Sequence, residues 1–295
     1  MKLLTPTRPS ELPAEALLAR LRCRRAAIDL RTANHVTEAP ATDVVFWVYK
    51  RLNHHLRKRL EPFLDLLAMR SLILALRYTL AGESPPGAVL NHSLLAGPLK
   101  QLVIMKEEAE AIIAQLEAAL AKDYSFVTGL TSTYRSQGPG GVELQLADGI
   151  LQHGLTNTGN NILKGTLRYL VDMRNCLMIN KLWRWQVNQP PPLTAGGSFA
   201  TSSLQRIWAT HDREGLVRLA GRLAGKPLTS TEATRMEQCL LGGLTRFLRW
   251  AGRDPLGLAV VIEYLWLAQL DVHNQVLRQA LAADRGELLE EVLLL

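Results

Sequence analysis

A chain of 295 residues can bury a sizeable core, and length alone allows one to three domains. Leu and Ala are abundant, aromatic residues are only 6%, and alternating Val/Ile runs are scarce, which leaves strands little to be built from and points to an all-α fold. The net charge of +7 suits an acidic partner, a nucleic acid or an anionic membrane surface, but charge governs association and not fold.

In chain order, the opening Met1-Lys2-Leu3-Leu4-Thr5-Pro6 has no apolar core of signal-peptide length, so the mature protein is expected to start here. Apolar residues recurring at three and four, with breakers between, predict helices over 11–33, 42–59, 61–82 and 99–122. The first helix carries Arg20, Arg22, Arg24 and Arg25, and the next carries Lys50, Arg51, His54, His55, Arg57, Lys58 and Arg59. Such runs are either solvated faces or contacts to acidic protein loops, anionic lipid headgroups or nucleic-acid phosphate. Residues 123–161, rich in Gly, Ser, Thr and Asn around Gly138-Pro139-Gly140-Gly141, read as a loop with one short helix over 142–153.

Further helices are predicted over 162–187, 201–209, 212–224, 229–251, 255–283 and 286–294. Pro190-Pro191-Pro192 and Gly196-Gly197 separate the first two, because helix cannot continue through them. Asp254-Pro255 reads as a helix start, Asp capping free N–H groups and Pro sitting in the first turn. The longest apolar stretch, Leu256 to Leu270, is interrupted by Glu263 and falls short of the ~18 residues that span a bilayer. The chain is therefore expected not to cross a membrane.

Chemical signatures are poor. Cys23, Cys176 and Cys239 are odd in number with no CxxC spacing, which fits a reduced compartment, the cytoplasm, better than a disulfide framework or a zinc site. Gly159 to Thr166 has Lys164 and Gly165 in the wrong order for a phosphate loop, and no strand precedes it. His54 and His55 are adjacent, hence about 100° apart on a helix and poorly placed to share a metal. No nucleophile motif is found. No catalytic, cofactor or metal residue is predicted, and the chain reads as non-enzymatic. Trp183-Arg184-Trp185 offers aromatics beside a base, either for nucleic-acid stacking or as core.

One pattern recurs. Leu66-Leu67-Ala68-Met69-Arg70-Ser71, Tyr169-Leu170-Val171-Asp172-Met173-Arg174-Asn175 and the helix from Tyr264 through Asp271-Val272-His273-Asn274 share one frame. Ser71, Asn175 and Asn274 are spaced by 104 and then 99 residues. A base follows each, Arg77 and Lys181 after six residues and Arg278 after four. A fixed period implies a duplicated supersecondary unit. Asp172 and Asn175, like Asp271 and Asn274, are three apart and share a helix face, from which a carboxylate and an amide can tie the helix to a neighbouring loop. Either each pair faces solvent, or it fixes how its repeat is assembled.

These residues resemble the C-type subunit family of V-type and A-type rotary ATPases, whose eukaryotic members are the d-type subunits. Tyr264 to Arg278 looks like the family's closing helix with its acidic-x-x-Asn-Leu-Arg pattern, Asp172 to Lys181 like its internal acidic-x-x-Asn helix, and Gly196-Gly197 like the Gly-Gly that follows. Leu18-Ala19-Arg20-Leu21-Arg22 is similar to the first helix without its aromatic, and Ala68 and Ser71 stand where Asp and Asn are expected. The resemblance implies three similar helical domains, 1–95, 96–195 and 196–295, in a pseudo-threefold funnel. It implies a non-catalytic component, peripheral on the cytoplasmic face, whose wide end sits on the membrane rotor ring and whose cavity receives the central-stalk shaft. A basic helical scaffold or nucleic-acid-binding repeat protein is the other reading, with Arg20, Arg22, Arg51, Arg57, Lys58 and Arg59 as candidate contacts to an acidic partner in either case.

Overall fold

The structure is a computed structural model that describes residues 2–33, 44–85, 90–91, 93–105 and 107–282, with backbone alone at 27–33 and 271–282. Among these residues are eleven α-helices, as the all-α expectation required. The predicted helix 286–294 lies outside the described residues. Two units are formed, Met1–Leu12 with Thr42–Asn160, and Pro13–Ala41 with Asn161–Leu295. The division falls between 160 and 161, inside the span expected for the second repeat, and it places the first helix with the C-terminal half.

The second unit contains α1 (Ala14–Ala33), α7 (Asn161–Arg184), α8 (Thr201–Ala209), α9 (Arg213–Ala224), α10 (Ala233–Ala251) and α11 (Ala259–Ala282). The first contains α2 (Val44–Arg51), α3 (His54–Leu80), α4 (Gly97–Leu102), α5 (Ala109–Leu120), a 3₁₀ turn at Ser125–Val127 and α6 (Leu130–Asn157).

In the first unit α3 packs along α6, and α5 packs against α6 as well. The stripe Leu60, Leu64, Ala68, Leu72, Leu76 recurs every fourth residue and is fully buried, each Leu contributing about 2 kcal/mol of apolar burial. The expected break near residue 60 is absent. It lies instead at Leu52-Asn53, where the Asn53 side chain accepts from the Leu56 N–H (2.9 Å) and caps α3. Pro62 sits inside α3, where it removes one backbone rung without ending the helix.

The segment 123–161, expected to be a loop with one short helix over 142–153, is mostly helix, and the predicted short helix is part of it. α6 runs from Leu130 to Asn157 with one non-helical residue, Gly138, at φ +67°, followed by Pro139. Its small residues serve close packing: a Cβ on Gly149 would lie 2.2 Å from the Phe126 ring, and Leu146 and Ile150 are buried beside it. The free N–H groups at its start are satisfied from another helix. Glu117 of α5 accepts from Gly129 N (2.6 Å), Thr131 N (2.8 Å) and the Thr131 hydroxyl (2.7 Å). Thr131, through its N–H and hydroxyl, then Gly129, hold the Glu117 carboxyl below its ordinary range. Glu117→Ala is expected to lower the unfolding free energy by about 1 kcal/mol in urea titrations near pH 7. Because the folded carboxyl titrates below the unfolded one, its contribution is present above the ordinary Glu range and is lost as pH falls through the depressed value.

In the second unit α1 packs against α11, and α10 packs against α7, α9 and α11. The core gathers Cys176, Ile179 and Trp183 of α7 with Leu204 and Trp208 of α8, Leu216 of α9 and Leu240 of α10. Trp183 and Trp208 stack at 5.9 Å, so Trp183 is core. Asp254-Pro255 does not start a helix: Asp254 accepts from the Leu256 N–H (3.1 Å) in a turn, and α11 begins at Ala259. Residues 258–268 are buried on every side, as a central helix requires. Its one carboxylate there, Glu263, is 1% exposed and lies 3.0 Å from Arg25 of α1. Arg25→Ala would remove one partner of that buried charge, and a loss of about 3 kcal/mol is expected in chemical denaturation, with Glu263→Gln in the same background restoring part of it.

Candidate functional site

α7 carries a buried polar face that ties three separate segments to it. The Tyr169 hydroxyl donates to the Leu240 carbonyl (2.7 Å), and Asn180 Nδ2 donates to the Thr231 carbonyl (3.0 Å). Between them, Asp172 and Asn175 hold the connection from α7 to α8. Asn175 is engaged twice by one residue: its Nδ2 donates to the Thr194 carbonyl (2.8 Å) and its Oδ1 accepts from the Thr194 N–H (2.9 Å). Asp172 accepts from Ser198 N at Oδ2 (2.7 Å) and Phe199 N at Oδ1 (3.1 Å). The pair is 0% and 1% exposed, so it faces the protein interior and not solvent.

The Gly196-Gly197 signal has its cause at the same place. Gly196 takes φ +85°, which favours glycine, and a Cβ on Gly197 would fall 2.0 Å from Asp172 Oδ1. Burial pushes the Asp172 carboxyl above its ordinary value, while the Ser198 and Phe199 N–H groups pull the other way. Chemically the arrangement is a fastening: both carboxylate oxygens of Asp172 and both amide atoms of Asn175 meet backbone groups of the loop.

The first copy of the motif is unlike this one. Ser71 of α3 donates to the Leu67 carbonyl of its own helix (3.3 Å), and Ala68 has no polar group to offer. Asp271, Asn274 and Arg278 fall on the α11 backbone, and their side chains lie outside the described residues. The first unit uses a different tie. Asp65, buried in the run Phe63-Leu64-Asp65-Leu66-Leu67, accepts from the Tyr124 hydroxyl (3.1 Å), which in turn faces the Leu3 N–H (3.5 Å). A carboxylate inside an apolar run was the signal for it. Burial, opposed by the Tyr124 bond, aided by Glu61 and opposed again by Lys2, raises the Asp65 carboxyl to about 7.

The candidate basic residues separate into two groups. Arg20 and Arg22 are exposed on α1 in the second unit. The rest surround the α2–α3 corner of the first. Two of those are already engaged within the chain: the Arg57 guanidinium donates to the Thr7 carbonyl (2.6 Å) and the Tyr49 carbonyl (3.1 Å) and covers the Tyr49 ring at 4.3 Å. Arg51 lies 4.2 Å over the Trp47 ring. Lys58 and Arg59 are exposed. A cleft of about 940 Å³ opens beside this corner, lined in part by Lys2, Arg8, His54, Arg57, Lys58 and Glu61. Lys2 and Arg8 were not legible as members, since each is a single cation in an extended N-terminal segment.

The segment Gly159 to Thr166, whose order of Lys164 and Gly165 argues against a phosphate loop, lies mostly on α7. Gly165 is within α7, where a Cβ would meet the Phe247 ring at 3.1 Å. Among the described residues no helix is long and apolar enough to cross a membrane. Comparison with protein-family models and with curated proteins returned no match.

Proposed function

We propose that this chain is a non-catalytic coupling component of a V-type or A-type rotary ATPase, joining the central-stalk shaft to the membrane ion-translocating ring. In this reading it transmits torque during ATP-driven ion transport or ATP synthesis. The observation that carries it is the fastening on α7. Asp172, Asn175 and Gly197 are among the positions that resemble that family, and they act together on one interhelical connection. A part that carries torque needs resistance to twist, and closely packed helices with pinned connections supply it without any reacting side chain. The three-domain repeat and the funnel belong to this proposal.

Affinity purification of the tagged chain from its native membranes tests it. P-loop ATPase head proteins and a short, very apolar ring protein are expected to co-purify in one ATP-hydrolysing assembly. Recovery of the chain alone, or with nucleic acid only, overturns the proposal. The nucleic-acid reading has one observation of its own: Trp185 is 59% exposed with Lys181 4.4 Å from its ring. It predicts that Trp185→Ala weakens polynucleotide binding, and that the binding falls steeply with salt.

A further inference from the structure

We infer that the cleft between the N-terminal segment and the start of α3 is a binding site for an acidic peptide segment of a partner protein. All of its lining lies within the first unit. Its lining includes the apolar residues Leu4, Pro6, Ala96 and Pro98 and the cations Lys2, Arg8 and Lys58, with a single lining carboxylate, Glu61. Lys2 is paired with Glu61 (3.1 Å), and Arg8 with Glu11 (3.1 Å) outside the lining, both between exposed groups that exchange partners at little cost. Lys58 has no ion pair among the described residues.

The helix that delivers these cations is charged against its own dipole. α3 has no acidic residue in its first turn, yet His54, His55, Arg57, Lys58 and Arg59 crowd its N-terminal end, where the macrodipole is already positive. Only the Leu56 N–H there is met by a side chain, that of the capping Asn53. A carboxylate in the cleft neutralises the cations and opposes the dipole.

The lining favours one ligand class. Nucleic acid is held through its phosphates and by stacking of its bases on aromatic faces, and the Tyr49 ring in the lining, 3% exposed and covered by Arg57, offers no stacking face. A small inorganic anion calls for convergent donors alone, whereas this open cleft of about 940 Å³ combines cations with apolar lining residues. Carboxylates to meet the cations and apolar side chains to meet the rest of the lining are what an acidic-apolar peptide offers. The cleft would serve such a peptide whether or not the chain belongs to a rotary machine.

The test is fluorescence anisotropy with a fluorescein-labelled peptide of repeated Glu-Glu-Leu, titrated with the full chain. A matched Gln-Gln-Leu peptide and oligothymidylate serve as comparisons. Arg8→Glu with Lys58→Glu is expected to weaken the acidic peptide about tenfold, while Arg20→Glu with Arg22→Glu, the same change in net charge on the other unit, shifts it less than about twofold. Lys58→Glu places a carboxylate near the α3 N-terminus, so the melting temperature should hold or rise. Should the double charge reversal fail to fold, Arg8→Gln with Lys58→Gln is expected to weaken binding about threefold. Equal weakening by the two charge-reversed pairs, equal binding of the Gln-Gln-Leu peptide, or tighter oligothymidylate binding lost on Lys58→Glu would each overturn the assignment.

Discussion

Asp65→Asn is expected to abolish most of the pH dependence of the first unit's stability between pH 4 and 7. Asp65 is 3% exposed and its carboxyl is raised to about 7 from an ordinary 3.8. A carboxyl whose folded value is raised stabilises the fold in its protonated form. Its contribution is therefore whole below pH 3.8, declines as pH rises through the interval, and is gone above about 7. At about 1.4 kcal/mol per pH unit, ionising it inside the fold costs about 4 kcal/mol. Asn keeps an acceptor for the Tyr124 hydroxyl but cannot ionise. Urea midpoints should fall from pH 5 to pH 8 in the wild-type chain and stay nearly level in the variant, which should be the more stable of the two at pH 8. A wild-type chain with no such fall would show that Asp65 is solvated or paired in solution. Lys2 and Glu61 act on the same carboxyl in opposite directions, so Glu61→Gln should lower the midpoint of the transition and Lys2→Ala raise it.

The second large effect belongs to the fastening on α7. Asp172→Ala leaves the Ser198 and Phe199 N–H groups without their acceptor and is expected to lower the second unit's unfolding free energy by about 3 kcal/mol, with Asn175→Ala costing about 2 kcal/mol through Thr194. Gly197→Ala should be nearly as damaging as Asp172→Ala, because its methyl group would stand 2.0 Å from the carboxylate and push the loop off it. The two substitutions should not add. Once Asp172 is Ala, the methyl group has lost the atom it struck, so a double-mutant cycle should return about 1 to 2 kcal/mol of coupling. Additive losses would mean that loop and carboxylate are not in contact. In the rotary reading the same variants should weaken retention of the chain in the membrane complex, since a loosened α7–α8 connection presents its surface less rigidly.

How much was legible in advance follows the range of each interaction along the chain. The sequence by itself determined the helical class, the helix 201–209 to the residue, the break at Gly196-Gly197 and the placement of Asp172 and Asn175 on one face. Each of these rests on spacing within one or two turns, and local backbone geometry sets it. Composition misled where local and packing roles of the same residue differ. Gly141 reads as the centre of a loop, yet it is buried inside α6. A break is expected between 59 and 61, yet α3 runs through it with Pro62 inside the helix.

Only the tertiary structure decided which polar groups turn inward and what they meet. Arg57 reads as a free surface cation until the Thr7 carbonyl, fifty residues away, is brought to it. Glu263 reads as an interruption of an apolar stretch until Arg25, 238 residues distant in the chain, meets it. Asp172 could face solvent or protein with equal ease by spacing alone. The loop delivered to it, and the glycine that lets the loop come close, are what turn it inward. Burial of a charge is tolerable only where partners converge on it, and that convergence is a property of the folded chain.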